Sequence, residues 1–448
     1  MKENNSDHAL PVSQIFNEIR KMEEFSGLER PIRSNSTLFH YIQEIQRYKT
    51  TIRFIFQKTV RSFRKEEYVA QFARDRWEIF YFAIYRFTYE DITIQQILYN
   101  FKQEVGNTPK YQWISKFLRR VAHFDWKLAL KGKDTLEQLS IQHALPSFFI
   151  RTLLKVQSQA QIEAQGRAMD VSPRKGTVSF WIVPSENTNH IQDLGLSPMK
   201  DLHIPNLFHL PVNQKAKLIR SRLFQQGTLI IQDKASVTAA FVLDPSPHDL
   251  ILDMCAAPGM KTSYLATMST KPLTIIANDF HPIRIRTMHR LFQSLPLPYS
   301  RPNLLNADGY TPPLRSYPSD SPVLFDRILL DAPCTGSGTF AAHPELKKQQ
   351  SPGFLRHHVS LQEKLLHTAI DLLKPGGVLV YSTCSLYPQE GELHFWDADF
   401  PLQACPLPEW IGLPYENPKK NDEISGMGRF FPAEHHTSGF FIAKFLKL

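Results

Sequence analysis

The chain has 448 residues, 42% hydrophobic and 12% aromatic, enough to bury more than one core and too apolar for global disorder. No apolar run reaches bilayer length and the first residues form no charged-then-apolar leader, so an unexported, cytoplasmic protein without a membrane partner is expected. Its four cysteines show no CxxC spacing, which argues against a disulfide framework and predicts no metal site.

The net charge of +9 is unevenly spread: the excess of Lys and Arg lies before residue 237, and the remainder is close to neutral. That asymmetry suggests a polyanion-binding front half joined to a catalytic back half, although a solvated surface bias gives the same numbers. Residues 1–36 are polar, rich in Ser and Asn, and read as an arm. Over 37–138 apolar residues recur at helical spacing, as in Leu38, Tyr41, Ile42 and Ile45, which predicts a helical domain. Over 139–235 short apolar runs such as Val178 to Val183 alternate with Pro and Gly breaks, predicting a small α+β domain.

From 236 to 448 the text becomes strand–loop–helix. Strands are expected over His248–Leu252, Leu273–Ala277, Phe325–Leu330, Val378–Tyr381 and Gly439–Leu446, with helices from Lys261 and Pro282. The fold class is therefore α/β, a doubly wound Rossmann-like sheet preceded by an all-α domain and a small α+β domain. In such sheets ligands bind beyond the carboxyl ends of the strands.

Several side chains with chemistry fall at those ends. The loop Asp253-Met254-Cys255-Ala256-Ala257-Pro258-Gly259-Met260-Lys261 follows the first strand, and its small residues allow close backbone approach to a ligand. It is neither a dinucleotide glycine fingerprint nor a phosphate loop. Asp279 follows the second strand, where a carboxylate can accept both hydroxyls of a ribose. Asp308 is placed to touch an adenine amino group, and Asp331 ends the strand before Cys334. Any one acid alone reads equally well as a turn or helix cap. Cys334 in Asp331-Ala332-Pro333-Cys334 and Cys384 in Ser382-Thr383-Cys384-Ser385 bring two thiols to one sheet edge, which suggests covalent catalysis.

The segments DMCAAPGMKT, DAPCTGSGT and STCSLYPQEGE, in that order, resemble the signatures of the RNA cytosine-C5 methyltransferases of the RsmB/Sun family. The strong likeness covers about residues 224–448, and a weaker one begins near 139. The helical front resembles, in position and pattern, the antitermination-factor-like RNA-binding domain of the bacterial ribosomal RNA members. The resemblance implies S-adenosylmethionine as methyl donor, with contacts from Cys255, Ala256, Ala257, Pro258, Gly259, Met260, Lys261, Asp279, Asp308 and Asp331. It makes Cys384 the nucleophile and Cys334 the thiol that assists product release, with Asp331 also near the target base. Small-subunit ribosomal RNA is the implied substrate, transfer RNA the alternative, and the protein is expected to be a monomer. An inactive RNA-binding assembly factor on the same fold and an amino-group methyltransferase remain open. The chain departs from the family pattern at Gly391 within Glu390-Gly391-Glu392, at Ala433 after Pro432, at Ser438 before Gly439-Phe440-Phe441, and at Phe180-Trp181-Ile182-Val183, which lacks the family's Arg and Asn.

Overall fold

The computed structural model describes residues 12–24, 36–90, 92–105, 109–170, 176–184, 194–268, 271–297, 301–314, 321–417 and 426–448. It divides into two compact units, one of Met1–Arg151 with the segment His343–Lys348, the other of Thr152–Ala342 with Gln349–Leu448. Among the described residues no helix is long and apolar enough to cross a membrane.

The first unit is helical. Its centre is the helix Trp77–Tyr89, in which every side chain from Glu78 to Arg86 is buried. Rings from neighbouring helices close on it, as in the Phe80–Phe117 pair at 4.4 Å between centroids. The buried Glu78 carboxylate is met by Arg20 at 2.7 Å and Arg76 at 2.8 Å, which offsets its desolvation.

The expected polar arm over 1–36 is corrected in part. Val12–Glu24 is a helix whose Val12, Ile15, Phe16 and Ile19 are buried in the helical core. Those four lie at helical spacing; the surrounding Ser and Asn residues obscured the stripe. Ser36 opens the next helix, Ser36–Arg47, and the rest of the arm lies outside the described residues. The boundary expected at 138/139 also falls inside an element, the helix Thr135–Gln142, and helices continue to Asp170 before the first strand among the described residues.

The second unit holds two sheets. The smaller is antiparallel: β1 (Thr177–Ile182), β2 (Met199–Lys200), β3 (Leu207–Pro211) and β4 (Leu229–Ile231) lie in the order β2-β3-β1-β4. The boundary expected at 235/236 lies within the next helix, Lys234–Phe241, capped by the Asp233 side chain on Ala235 N.

The larger sheet has eight strands: β5 (Leu250–Asp253), β6 (Thr274–Asn278), β7 (Asn303–Leu305), β8 (Phe325–Asp331), β9 (Leu373–Thr383), β10 (Leu402–Ala404), β11 (Met427–Phe430) and β12 (Phe440–Lys447). Their order is β10-β12-β9-β8-β5-β6-β7, with β11 pairing β12. Strands β5 to β9 pair in parallel, and β12 returns antiparallel to β9. This is the doubly wound α/β fold. The chain moves outward from β5 through β6 to β7, then resumes on the other side of β5 with β8 and β9. The ends of β5 and β8 therefore flank the point where strand order reverses, the usual ligand crevice of such sheets.

One strand reading is extended by the structure, and further strands are added. β9 begins at Leu373, directly after the helix Pro352–Leu372, so Pro375-Gly376-Gly377 lies within the strand. Leu402–Ala404 and Met427–Phe430 also form strands, too short or too uniformly buried to show a period in the sequence.

Candidate active site

Parallel pairing brings the ends of β8 and β9 level: Asp331 is in register with Ser382, and Ala332 N donates to Ser382 O at 2.9 Å. The chain then leaves each strand into a cysteine-bearing loop. The two loops converge, with Cys334 Sγ and Cys384 Sγ 3.3 Å apart and both residues partly accessible. Hydrogen bonding to Cys384 and burial raise the Cys334 thiol well above its ordinary pKa. Such a thiol stays protonated at neutral pH.

Asp331 is anchored beside them. Its Oδ2 receives Lys261 Nζ at 2.5 Å and its Oδ1 receives Ser382 Oγ at 2.7 Å. Burial alone would lower the Lys261 pKa, but the Asp331 carboxylate outweighs it, helped by Cys384 and Asp253, so the ammonium is held charged. Lys261 thus ties the loop after β5 to the end of β8.

That loop is shaped by close packing. Gly259 has φ +101°, and a Cβ there would lie 2.8 Å from Met288 Cγ, so only glycine fits. Ala256 N donates to Asn278 O at 2.8 Å, and Arg284 Nη2 to Ala257 O at 2.5 Å. Asp253 is buried and accepts from Thr262 Oγ1 at 2.7 Å; burial pushes its carboxyl up to about 7. Burial likewise raises the Cys255 thiol, so it is a small loop side chain and no ready nucleophile.

Asp279 follows β6, is nearly buried, and meets Arg284 Nη1 at 3.2 Å and His281 N at 3.0 Å. Asp308 follows β7 and is exposed, with Tyr310 N 3.4 Å from its Oδ1. Asn306 Nδ2 donates to Asp279 O at 2.8 Å and joins the two loops. Acids thus stand after β6, β7 and β8, beside a loop with no room for a Cβ at Gly259. This donor set fits a cation carrying a ribose and an amino-bearing base, the chemistry of S-adenosylmethionine. Cys405 lies after β10, its Sγ 3.9 Å from Gln403 O.

The groups that fix the cysteine loops were not singled out from the sequence. Glu390 binds Thr335 through its carboxylate, and Arg429 is fully buried with both forks on Glu392 at 2.6 Å. Arg429 Nη1 also donates to Ser385 O at 2.8 Å, just after Cys384. A charged residue within the apolar run Met427–Phe430 was the available signal, since a buried arginine requires a partner. The glycine at 391 has a local reason: a Cβ there would lie 2.7 Å from Arg429 Nη2. Ser438 N donates to Asp233 Oδ2 at 3.2 Å, and Ala433 N to Gln165 Oε1 at 3.1 Å.

The chain is similar to several known proteins. Residues 240–446 match the family model described as 16S rRNA methyltransferase RsmB/F. A Synechocystis protein named as a probable ribosomal RNA small subunit methyltransferase B is 27% identical over 82% of this chain and 81% of its own length. The tRNA (cytosine(49)-C(5))-methyltransferase of Pyrococcus abyssi is 36% identical over 50% of this chain and 72% of its own. The crystal structure of a methyltransferase homologue from Pyrococcus horikoshii superposes with a TM-score of 0.55 at 29% identity, covering 68% of this chain and 99% of that one.

Proposed function

Because the chain belongs to the RNA cytosine-C5 methyltransferase family of the RsmB/F type, we propose that it methylates C5 of a cytosine in RNA, with S-adenosylmethionine as donor. The single observation that carries this reading is the 3.3 Å approach of Cys334 and Cys384 beside Asp331. Small-subunit ribosomal RNA is the favoured substrate, because the likeness to the Synechocystis protein extends over most of both chains. Transfer RNA is the second reading, favoured by the higher identity to the Pyrococcus abyssi enzyme.

C5 of cytosine is a poor nucleophile. Attack of the Cys384 thiolate on C6 forms an S–C6 bond and turns the ring into an enamine with electron density at C5. S-Adenosylmethionine, when bound, supplies an electrophilic methyl group. Asp279 and Asp308 are the proposed partners of its ribose and adenine, and the loop from Cys255 to Lys261 is its proposed cradle. After transfer, the proton on C5 leaves to a base, the S–C6 bond breaks, and the Cys384 sulfur is released. Cys334 is the group we assign to this elimination step: once the S–C6 bond has removed the Cys384 partner that raises its thiol, Cys334 gives its proton to solvent and takes the C5 proton as thiolate. Asp331 has acceptor capacity left beyond its bonds to Lys261 and Ser382, so it can also accept a hydrogen bond from the cytosine amino group and hold the ring in place. The target base must leave its stack to expose C6, which favours loop or single-stranded RNA.

Incubation of the protein with total RNA and methyl-labelled donor, followed by nucleoside analysis, tests the reading. Label in 5-methylcytidine supports it. Label in N6-methyladenosine, or none, rejects it.

A further inference from the structure

We infer that Glu390 is a positioning residue that sets the spacing of the two cysteine sulfurs; the inference deepens the proposed reaction and rests on it. Glu390 is fully buried and reaches both cysteine loops from one place. Its carboxylate accepts Thr335 N at 2.9 Å and Thr335 Oγ1 at 2.5 Å, and Thr335 directly follows Cys334. Its main-chain carbonyl accepts Thr383 Oγ1 at 3.0 Å, and Thr383 directly precedes Cys384. Tyr381 OH donates to the same carbonyl at 3.2 Å.

Gln362 completes the grip. Its Nε2 donates to Glu390 Oε1 at 3.1 Å and to Pro333 O at 2.8 Å, so both neighbours of Cys334 are held. The Gln362 amide is oriented by His394, whose Nε2 lies 3.0 Å from Gln362 Oε1. Burial lowers His394 to about 4, so its ring is neutral at neutral pH and its Nε2–H can donate to that oxygen.

A carboxylate suits the position because two donors of one residue, the Thr335 N–H and O–H, converge on it and need two acceptors. Burying that charge is costly unless its hydrogen bonds are made. Removing it leaves the Thr335 N–H without its acceptor and frees the Cys334 loop to move relative to Cys384. Glutamine is the conservative replacement: its oxygen can still accept Thr335 N–H, and its amide N–H can donate to Thr335 Oγ1.

The test compares full-length wild type, Glu390→Gln, Glu390→Ala and Thr335→Ala by two measurements. The first is the rate at which diamide, a diazene oxidant, joins Cys334 to Cys384, mapped by mass spectrometry. An S–S bond forms as both S–H bonds break, and the two electrons and two protons reduce the N=N bond to a hydrazine. This rate does not depend on RNA, and because Glu390→Gln removes the charge that helps raise the Cys334 thiol while keeping the bonds to Thr335, the contrast of Glu390→Ala with Glu390→Gln reports sulfur spacing. The second is single-turnover methyl transfer to RNA. Because a displacement near 1 Å costs about 100-fold in a positioned reaction, Glu390→Ala should slow both by about that factor. Thr335→Ala, which loses only the hydroxyl bond, should slow both about 10-fold, and Glu390→Gln should stay within about threefold of wild type.

Cross-linking as fast in Glu390→Ala as in wild type overturns the inference. Should Glu390→Ala not fold, the other two variants decide it: Thr335→Ala indistinguishable from wild type in both measurements overturns it equally. Wild type that methylates no RNA rejects the proposed function, while the cross-linking comparison still decides whether Glu390 sets the spacing.

Discussion

Lys261 Nζ lies 2.5 Å from Asp331 Oδ2, so the loop that follows β5 and the end of β8 are joined by one ion pair at the reversal point of the sheet. The pair links the proposed donor cradle to the proposed base-binding acid. Lys261→Met should leave Asp331 with Ser382 alone and loosen both, lowering kcat/KM for methyl transfer about 100-fold. Lys261→Arg should recover part of that loss. Activity unchanged in Lys261→Met would make the pair a surface tie with no part in the reaction.

Arg429 and Glu392 form a fully buried bidentate pair, and Arg429 also holds the carbonyl of Ser385. Arg429→Leu strands a buried carboxylate, so the expected loss is about 3–5 kcal/mol in denaturant unfolding. The double variant Arg429→Leu/Glu392→Leu removes the orphaned charge and should be clearly more stable than Arg429→Leu alone. Equal stability of the single and double variants would contradict a cost from the unpaired Glu392 carboxylate.

Asp253 gives a pH signature. Its carboxyl is raised to about 7 by burial in the folded protein, whereas an exposed aspartate titrates near 4. Between those values the folded state binds more protons than the unfolded state, so this group's contribution to stability falls as pH rises from about 4 to about 7. Asp253→Asn can still accept from Thr262 and no longer titrates. Subtracting its stability from that of wild type across this range should give a difference that grows in favour of the variant with rising pH. A flat difference would place the Asp253 titration elsewhere.

Much of the fold was legible because its cues are local. β5, β6, β8 and the helix Pro282–Ser294 follow apolar runs and breaks close in sequence, and the strand ends carry the acids and cysteines that the reading named. What stayed hidden is contact between distant residues. Nothing in local periodicity pairs Glu390 with Thr335, Lys261 with Asp331 or Arg429 with Glu392, because each pair meets only once the sheet is assembled. The helix Val12–Glu24 was missed for the opposite reason, its short apolar stripe being diluted by polar neighbours.

Gly338 shows how tightly the Cys334 loop is seated. A Cβ there would lie 2.0 Å from Gly439 O, a main-chain atom that cannot rotate away, and Gly439 N donates to Gly338 O at 2.8 Å. Gly338→Ala should destabilise by about 1–3 kcal/mol through overpacking and slow methyl transfer beyond what stability explains. Gly353→Ala is the control: nothing lies within 4 Å of the added Cβ, and it should be near neutral.

The most direct measurement is the covalent RNA–protein complex resolved on a denaturing gel after reaction with substrate RNA and methyl donor. With Cys384 as nucleophile and Cys334 as the resolving thiol, Cys334→Ala should accumulate a denaturant-resistant complex. Cys384→Ala should form neither complex nor 5-methylcytidine. A stable complex with Cys384→Ala, and none with Cys334→Ala, would contradict the assignment.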